Sequence, residues 1–218
     1  MKNRDAPQNE TTRRILPIAC ATALAVAFMV ALQQPAHAHH GTRPHVPDNL
    51  EVPHGIKVFL EGHAIGTQNY ICLPSASLFA WTPFGPQATL FNDNARQVIT
   101  HFLSANRFEN GMPRATWQHS GDTSSVWAQA IASSSDPAFV APGAIPWLLL
   151  QVVGAQDGPT GGHTLTETTF IQRLNTLGGI APATGCTVST DVGKKALVPY
   201  AADYFFYRDR DRDEDDDN

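Results

Sequence analysis

The chain lacks the short patterns that mark many catalytic centres. No G-x-S-x-G nucleophile turn, no H-E-x-x-H zinc helix and no phosphate-cradling G-x-x-x-x-G-K-[ST] loop occurs in its 218 residues. A dinucleotide-binding G-x-G-x-x-G between a strand and a helix is missing too. Basic charge is scarce, with 15 Lys+Arg against 20 Asp+Glu and a formal net charge of −5, so no nucleic-acid partner is expected. Cysteine is scarcer still, at three residues with no C-x-x-C spacing, which removes a zinc ribbon or a thioredoxin-type pair. Missing motifs do not forbid catalysis, because a triad can be assembled from distant strands. They do weight the reading away from an enzyme.

One long apolar run is present, and it stands at the start. Lys2, Arg4, Arg13 and Arg14 precede "ILPIACATALAVAFMVAL", and "QQPAHA" follows. Ala36-His37-Ala38 has the A-x-A form of a signal-peptidase site, so residues 1–38 read as a signal peptide and the mature chain as beginning at His39. The rival is an uncleaved anchor, since the run is just long enough to span a bilayer. Pro17 and the small-residue site favour cleavage, which leaves no membrane span. "TRRILP" resembles a twin-arginine signal, with ordinary secretion as the alternative. The protein is expected to be exported, to a periplasm or outside the cell.

Removing the presequence leaves Cys72 and Cys186. An even pair in an exported chain reads as one disulfide, the alternative being two separate buried thiols. Four of the nine histidines, His37, His39, His40 and His45, crowd into "PAHAHHGTRPHVPDN". Cleavage after Ala38 would give His39 a free α-amine beside its imidazole. With a third nitrogen from His40, His45 or His101, that set suits copper or another divalent metal. The plainer reading is a processing site followed by a flexible lead-in over 39–50, rich in His and Pro, and no cofactor is expected.

The body, 51–208, alternates like β structure. In "IKVFLEGHA", Ile56, Val58 and Leu60 fall on one face and Lys57, Glu61 and His63 on the other. "IGT" reads as a turn before "QNYICL", and "TPFGP" as a turn between "SLFAW" and "QATLF". "RATWQH" and "SVWAQAIA" flank "SGDTS", a hairpin signal. "AIPWLLLQVVG" is apolar enough for a strand covered on both faces, "GAQDGPTGGH" reads as a long loop, and "TETTFIQRLNT" and "DYFFYR" as further strands. Helical periodicity is sustained nowhere beyond the presequence. The fold class is all-β: one domain, an antiparallel β-sandwich or partly closed barrel. The acidic tail over 209–218 reads as disordered. It has neither the glycine nor the spaced glutamate of a calcium loop.

The blocks "VPHGIKVFLEGHAIGTQNYIC", "GAIPWLLLQVV", "TFIQRLNTLGGIAPATGC" and "VPYAADYFFYR" resemble, in order, the domain-of-unknown-function 3455 family. That family consists of exported bacterial and fungal proteins. The resemblance spans about Leu50 to Arg208 and implies pairing of Cys72 with Cys186. It implies no established activity and therefore no catalytic residues. This chain departs from the family pattern after His101 and Phe102, where "SANRFENGMPRATW" replaces a shorter stretch.

Candidate binding residues are few. His101 in "QVITHFL" alternates with Ile99 and Leu103 toward a buried or pocket-facing side. There it is either a ligand-facing base or a core histidine bonded to backbone. Trp117 and Trp127 lie in adjacent strands and could share a stacking face. A two-residue turn at Gly121-Asp122 would instead point them to opposite sides, and a three-residue loop would pair them. Of Gln172 and Arg173 at most one points inward, and Asp203 is a plausible partner for the arginine. The reading that results is a non-catalytic binder of a small molecule, a glycan or an envelope surface. Its rivals are a copper-type redox enzyme built on the N-terminal histidines and a structural or stress-protective envelope protein. The oligomeric state stays open.

Overall fold

The alternation that begins at Ile56 runs much further than its length in the sequence suggests. In the computed structural model, which describes residues 43–76 and 78–210, a single strand β1 spans Ile56–Ser75. It is followed by β2 (Leu78–Phe91), β3 (Gln97–Asn106), β4 (Met112–His119) and β5 (Ser125–Ser134). β6 (Trp147–Gln156), β7 (Phe170–Gly178) and β8 (Lys195–Asp209) complete the set. Each strand pairs antiparallel with its neighbour and β8 returns to β1, closing an eight-stranded up-and-down barrel. Of the two expected architectures the barrel is the one adopted, and its closure leaves no unpaired edge strand.

Two expected turns are absent, for a shared reason. At "IGT" the chain stays extended, and Gly66 is needed because β2 passes too close for a side chain: a Cβ there would lie 2.1 Å from the Gln87 carbonyl oxygen. At "TPFGP" the register between β1 and β2 shifts by one residue, opposite Asn69 and Tyr70. Gly85 sits at that bulge with φ +124°. Pro83 and Pro86 are tolerated there because β2 pairs with β3 only from Ala88 onward. A second bulge, between Val58 and Leu60, corrects the expected facing of β1. Leu60 packs inside the barrel, whereas Ile56 and Val58 pack outside it.

Inside, Leu90, Ile99, Trp117, Val126, Ile171 and Phe206 are fully buried. Leu165, from the loop after β6, is buried among them; its N–H bonds to Ser124 Oγ. A second apolar layer covers the outer faces of β6–β8. There Val46, Leu50 and Val52 pack with Val140, Trp147, Leu149, Leu174, Phe205 and Tyr207. This explains the unbroken apolar run of β6: Leu150 and Val152 face the interior while Trp147 and Leu149 face the outer layer.

Over 43–50 the structure differs from the exposed lead-in expected. The Arg43 guanidinium donates to the carbonyls of Val52, Pro53 and Ile56 at 3.0, 2.7 and 2.6 Å, and Leu50 is wholly buried. Anchoring comes from apolar side chains spaced between the prolines, which composition alone disguises. At the other terminus, Asp209 is the last residue of β8, and the Arg210 N–H bonds to the Gly55 carbonyl. The expected signal peptide and the remaining acidic tail lie outside the described residues.

Cys72 and Cys186 form a disulfide with Cα atoms 5.5 Å apart, across a separation of 114 residues. It ties the β7–β8 connection to β1, and chain-entropy models assign a loop of this order about 4.7 kcal/mol. Asp191 stiffens the same connection. Its carboxylate accepts from Lys194 Nζ and from the N–H groups of Thr187 and Val188, which holds its pKa down at about 2.

Candidate functional site

The hairpin of β4 and β5 decides where the two candidate tryptophans go. Trp117 pairs with Val126 and Thr116 with Trp127, so the indoles point to opposite sides of the sheet. The connection runs from Ser120 to Ser124 and keeps the register that a tight turn at Gly121-Asp122 would impose. Asp122 holds it: the carboxylate accepts from Ser124 N–H and Oγ and from Thr164 N–H. Burial alone would raise its pKa, but these bonds outweigh burial and hold it far below the usual carboxylate range. No shared tryptophan platform exists.

Trp117 is fully buried inside the barrel. His101 stacks on it across the β3–β4 pair, ring centroids 4.1 Å apart, and Tyr204 meets both rings edge-on. The His101 Nδ1–H donates to the Thr116 carbonyl at 2.8 Å. Burial pushes its pKa down to about 3; the hydrogen bond to Thr116 opposes this in part, and the charge of Arg173 adds a smaller downward push. The imidazole is therefore neutral near pH 7. This is the core-histidine alternative: the ring is buried, stacked on Trp117 and bonded to the Thr116 carbonyl.

Arg173 shares this interior, but not with Asp203. Arg173 pairs in register with Tyr204, which faces inward, whereas Asp203 pairs with Leu174, which faces outward. The expected ion pair is thus ruled out by strand alternation. Arg173 donates to the Pro146 carbonyl at 2.8 Å instead. Its Nε and the Trp117 Nε1 are buried with no partner among the described residues. Gln172 faces outward and is engaged at both ends: Nε2 donates to the Leu50 carbonyl and Oε1 accepts from the Tyr207 hydroxyl.

Trp127 lies on the outer face, where β3, β4 and β5 present a groove of about 440 Å³. Phe102 and Trp127 supply its apolar surface; Ser104, Gln118, Gln156 and Asp157 supply hydroxyl, amide and carboxylate groups. The Trp127 Nε1–H donates to Ser104 Oγ at 2.8 Å, which fixes the indole. It is 7% exposed, so it offers the groove an edge and leaves the wider aromatic surface to half-buried Phe102. Aromatic carbon beside hydroxyl and amide groups matches a ligand that has both C–H faces and hydroxyls.

The metal candidates split. His39 and His40 lie outside the described residues. His45 is exposed, its ring 5.2 Å from that of Phe139, on the segment that packs over the outer layer. A different histidine has the carboxylate neighbours. His63 lies on the outer face of β1 with Asp203 Oδ1 2.7 Å from Nδ1 and Asp93 Oδ1 2.9 Å from Nε2. The bond to Asp203 raises its pKa most; burial opposes this, and Asp93 and Glu61 add to the rise. Alternation alone put Glu61 and His63 on one face, but it could not supply Asp203, 140 residues away.

The class these features define is a disulfide-stapled, all-antiparallel eight-stranded barrel. Its interior is filled by side chains, with His101 and Tyr204 buried and Arg173 half-buried among them, and its solvent-accessible polar clusters stand on the outside of the sheet. A family model matches residues 53–208, and the chain belongs to the family described as "Protein of unknown function (DUF3455)". No curated protein and no solved structure matches the chain.

Proposed function

We propose that this is an exported, non-catalytic binding protein whose ligand is a hydroxyl-rich molecule of the glycan class, taken in the outer groove of β3–β5. The observation that carries the reading is the pairing of Phe102 and Trp127 with Ser104, Gln118, Gln156 and Asp157 in one depression. Export is supported by the basic-then-apolar start of the sequence and agrees with the disulfide. The filled interior supports an outer site over a lipocalin-like one, because Trp117, Tyr204 and Phe206 occupy the space a ligand would need.

The test is titration of the full chain with a panel of oligosaccharides and soluble cell-wall fragments, followed by tryptophan fluorescence. Saturable binding that weakens at least tenfold in Phe102→Ala and in Gln118→Ala supports the reading. Failure to bind any member of the panel, or binding unchanged in both variants, overturns it.

A further inference from the structure

Outside the groove, the seam that closes the barrel brings together a donor set that no sequence pattern announces. His63 on β1 stands opposite Asp203 on β8 in the ladder, and Glu61 lies two residues before His63 on the same outer face. One ligating atom from each of Glu61, His63 and Asp203 lies within 4.8 Å of the other two, and all three side chains are half-buried. All three stand on paired strands, so the spacing is set by the sheet and not by loops.

Residues beyond this trio hold it in position. Asp93, from the β2–β3 turn, sits 2.9 Å from His63 Nε2, while Nδ1 faces Asp203. Asn175 on β7 donates to Asp203 Oδ2 at 2.8 Å, leaving Oδ1 toward the imidazole. A carboxylate on the far nitrogen of a histidine, with a further donor on the ligating carboxylate, is the support that orients ligands around bound metals. On the Nε2 side of the ring, His63 and Asp93 border an open depression of about 500 Å³, so the imidazole stands at the surface and not in the core.

We propose that Glu61, His63 and Asp203 bind one divalent transition cation of the zinc class, with Asp93 and Asn175 as positioning residues. One imidazole nitrogen and two carboxylate oxygens suit zinc, whereas calcium takes oxygen ligands alone and gains nothing from the histidine. On binding, the Nδ1 proton that bridges to Asp203 leaves to solvent, and the lone pair this frees on Nδ1 takes the metal while Nε2–H stays on Asp93.

The experiment is calorimetric titration of the full chain with zinc chloride after chelator treatment, with calcium chloride as a parallel arm. To keep the N-terminal histidines out of the signal, the same titration is run on a chain carrying both His39→Ala and His40→Ala. The expected result is one zinc site that persists in that chain. It weakens at least tenfold in His63→Ala and in Asp203→Asn, and about 10–100-fold in Asp93→Asn. Cobalt substitution should give a visible d–d spectrum that His63→Gln abolishes, a readout independent of stability. Absence of zinc binding, binding carried only by His39 and His40, calcium bound as tightly as zinc, or affinity unchanged by the His63 variants each overturns the proposal. Glycan binding in the outer groove stands or falls separately, since the two sites share no residue.

Discussion

Two histidines on nearby strands have opposite fates. His101 on β3 points into the barrel, stacks on Trp117 and is held neutral by burial. His63 on β1 points out of it, lies between the carboxylates of Asp93 and Asp203, and has its proton affinity raised. The same side chain is packing material in one region and a polar centre in the other. What separates them is the face of the sheet each occupies and the strand each meets. A histidine in an apolar stretch looks functional because it is out of place, yet here the one among ordinary polar neighbours meets the carboxylates.

The sharpest way to break this contrast is to remove the ring on which His101 rests. Trp117→Ala should cost about 3–5 kcal/mol in denaturant unfolding of the oxidised chain, because a fully buried indole leaves a cavity among Tyr204, Phe206 and Ile99. A loss under about 1 kcal/mol would mean the interior is far more loosely packed than described.

Next in size is acid sensitivity. The unfolded chain takes up a proton at His101 below about pH 6.5, and the folded chain does not until about pH 3. The stability from keeping it neutral is whole above 6.5 and falls by about 1.4 kcal/mol per pH unit below that. Between pH 6.5 and 4.5 the loss should be about 2–3 kcal/mol, before the carboxylates of Asp122 and Asp191 begin to matter. His101→Gln should flatten that limb of the unfolding curve, and an unchanged slope would sink the assignment.

The smallest effect belongs to His63, and it has the opposite sign. Its raised pKa gives stability that is complete below about pH 6.5 and is lost as pH rises through the folded value, with Asp203, Asp93 and Glu61 as the facing charges. The side chain is 41% exposed, so solvent screening keeps the contribution to about 0–1 kcal/mol. In the presence of a chelator, His63→Ala should shift the denaturation midpoint only slightly at pH 6 and less at pH 8. A large loss at both would make it a structural residue like His101.

How far the sequence could be read follows from where each signal lives. The orientation of Trp117 and Trp127 was narrowed to two registers, because a short hairpin allows few, but the choice between them waited on the β4–β5 ladder. The doubly covered β6 was legible from its run of apolar side chains. "IGT" and "TPFGP" misled because glycine and proline serve bulges and close strand approach as readily as turns, and only the neighbouring strand shows which. Residues 43–50 misled for a related reason: Val46 and Leu50 are sparse among polar and proline residues, and what they bury against lies on distant strands.

By itself the sequence determined that the chain is antiparallel β with one disulfide, since alternation, turn residues and cysteine parity are local or countable properties. Only the tertiary structure decided that the sheet closes, that Arg173 and Asp203 part company, and that Glu61, His63, Asp203 and Asp93 meet. The physical reason is register. A ladder between the first and last strands is fixed by the combined stagger and bulges of all eight, and shifting it by one residue would turn Asp203 into the barrel.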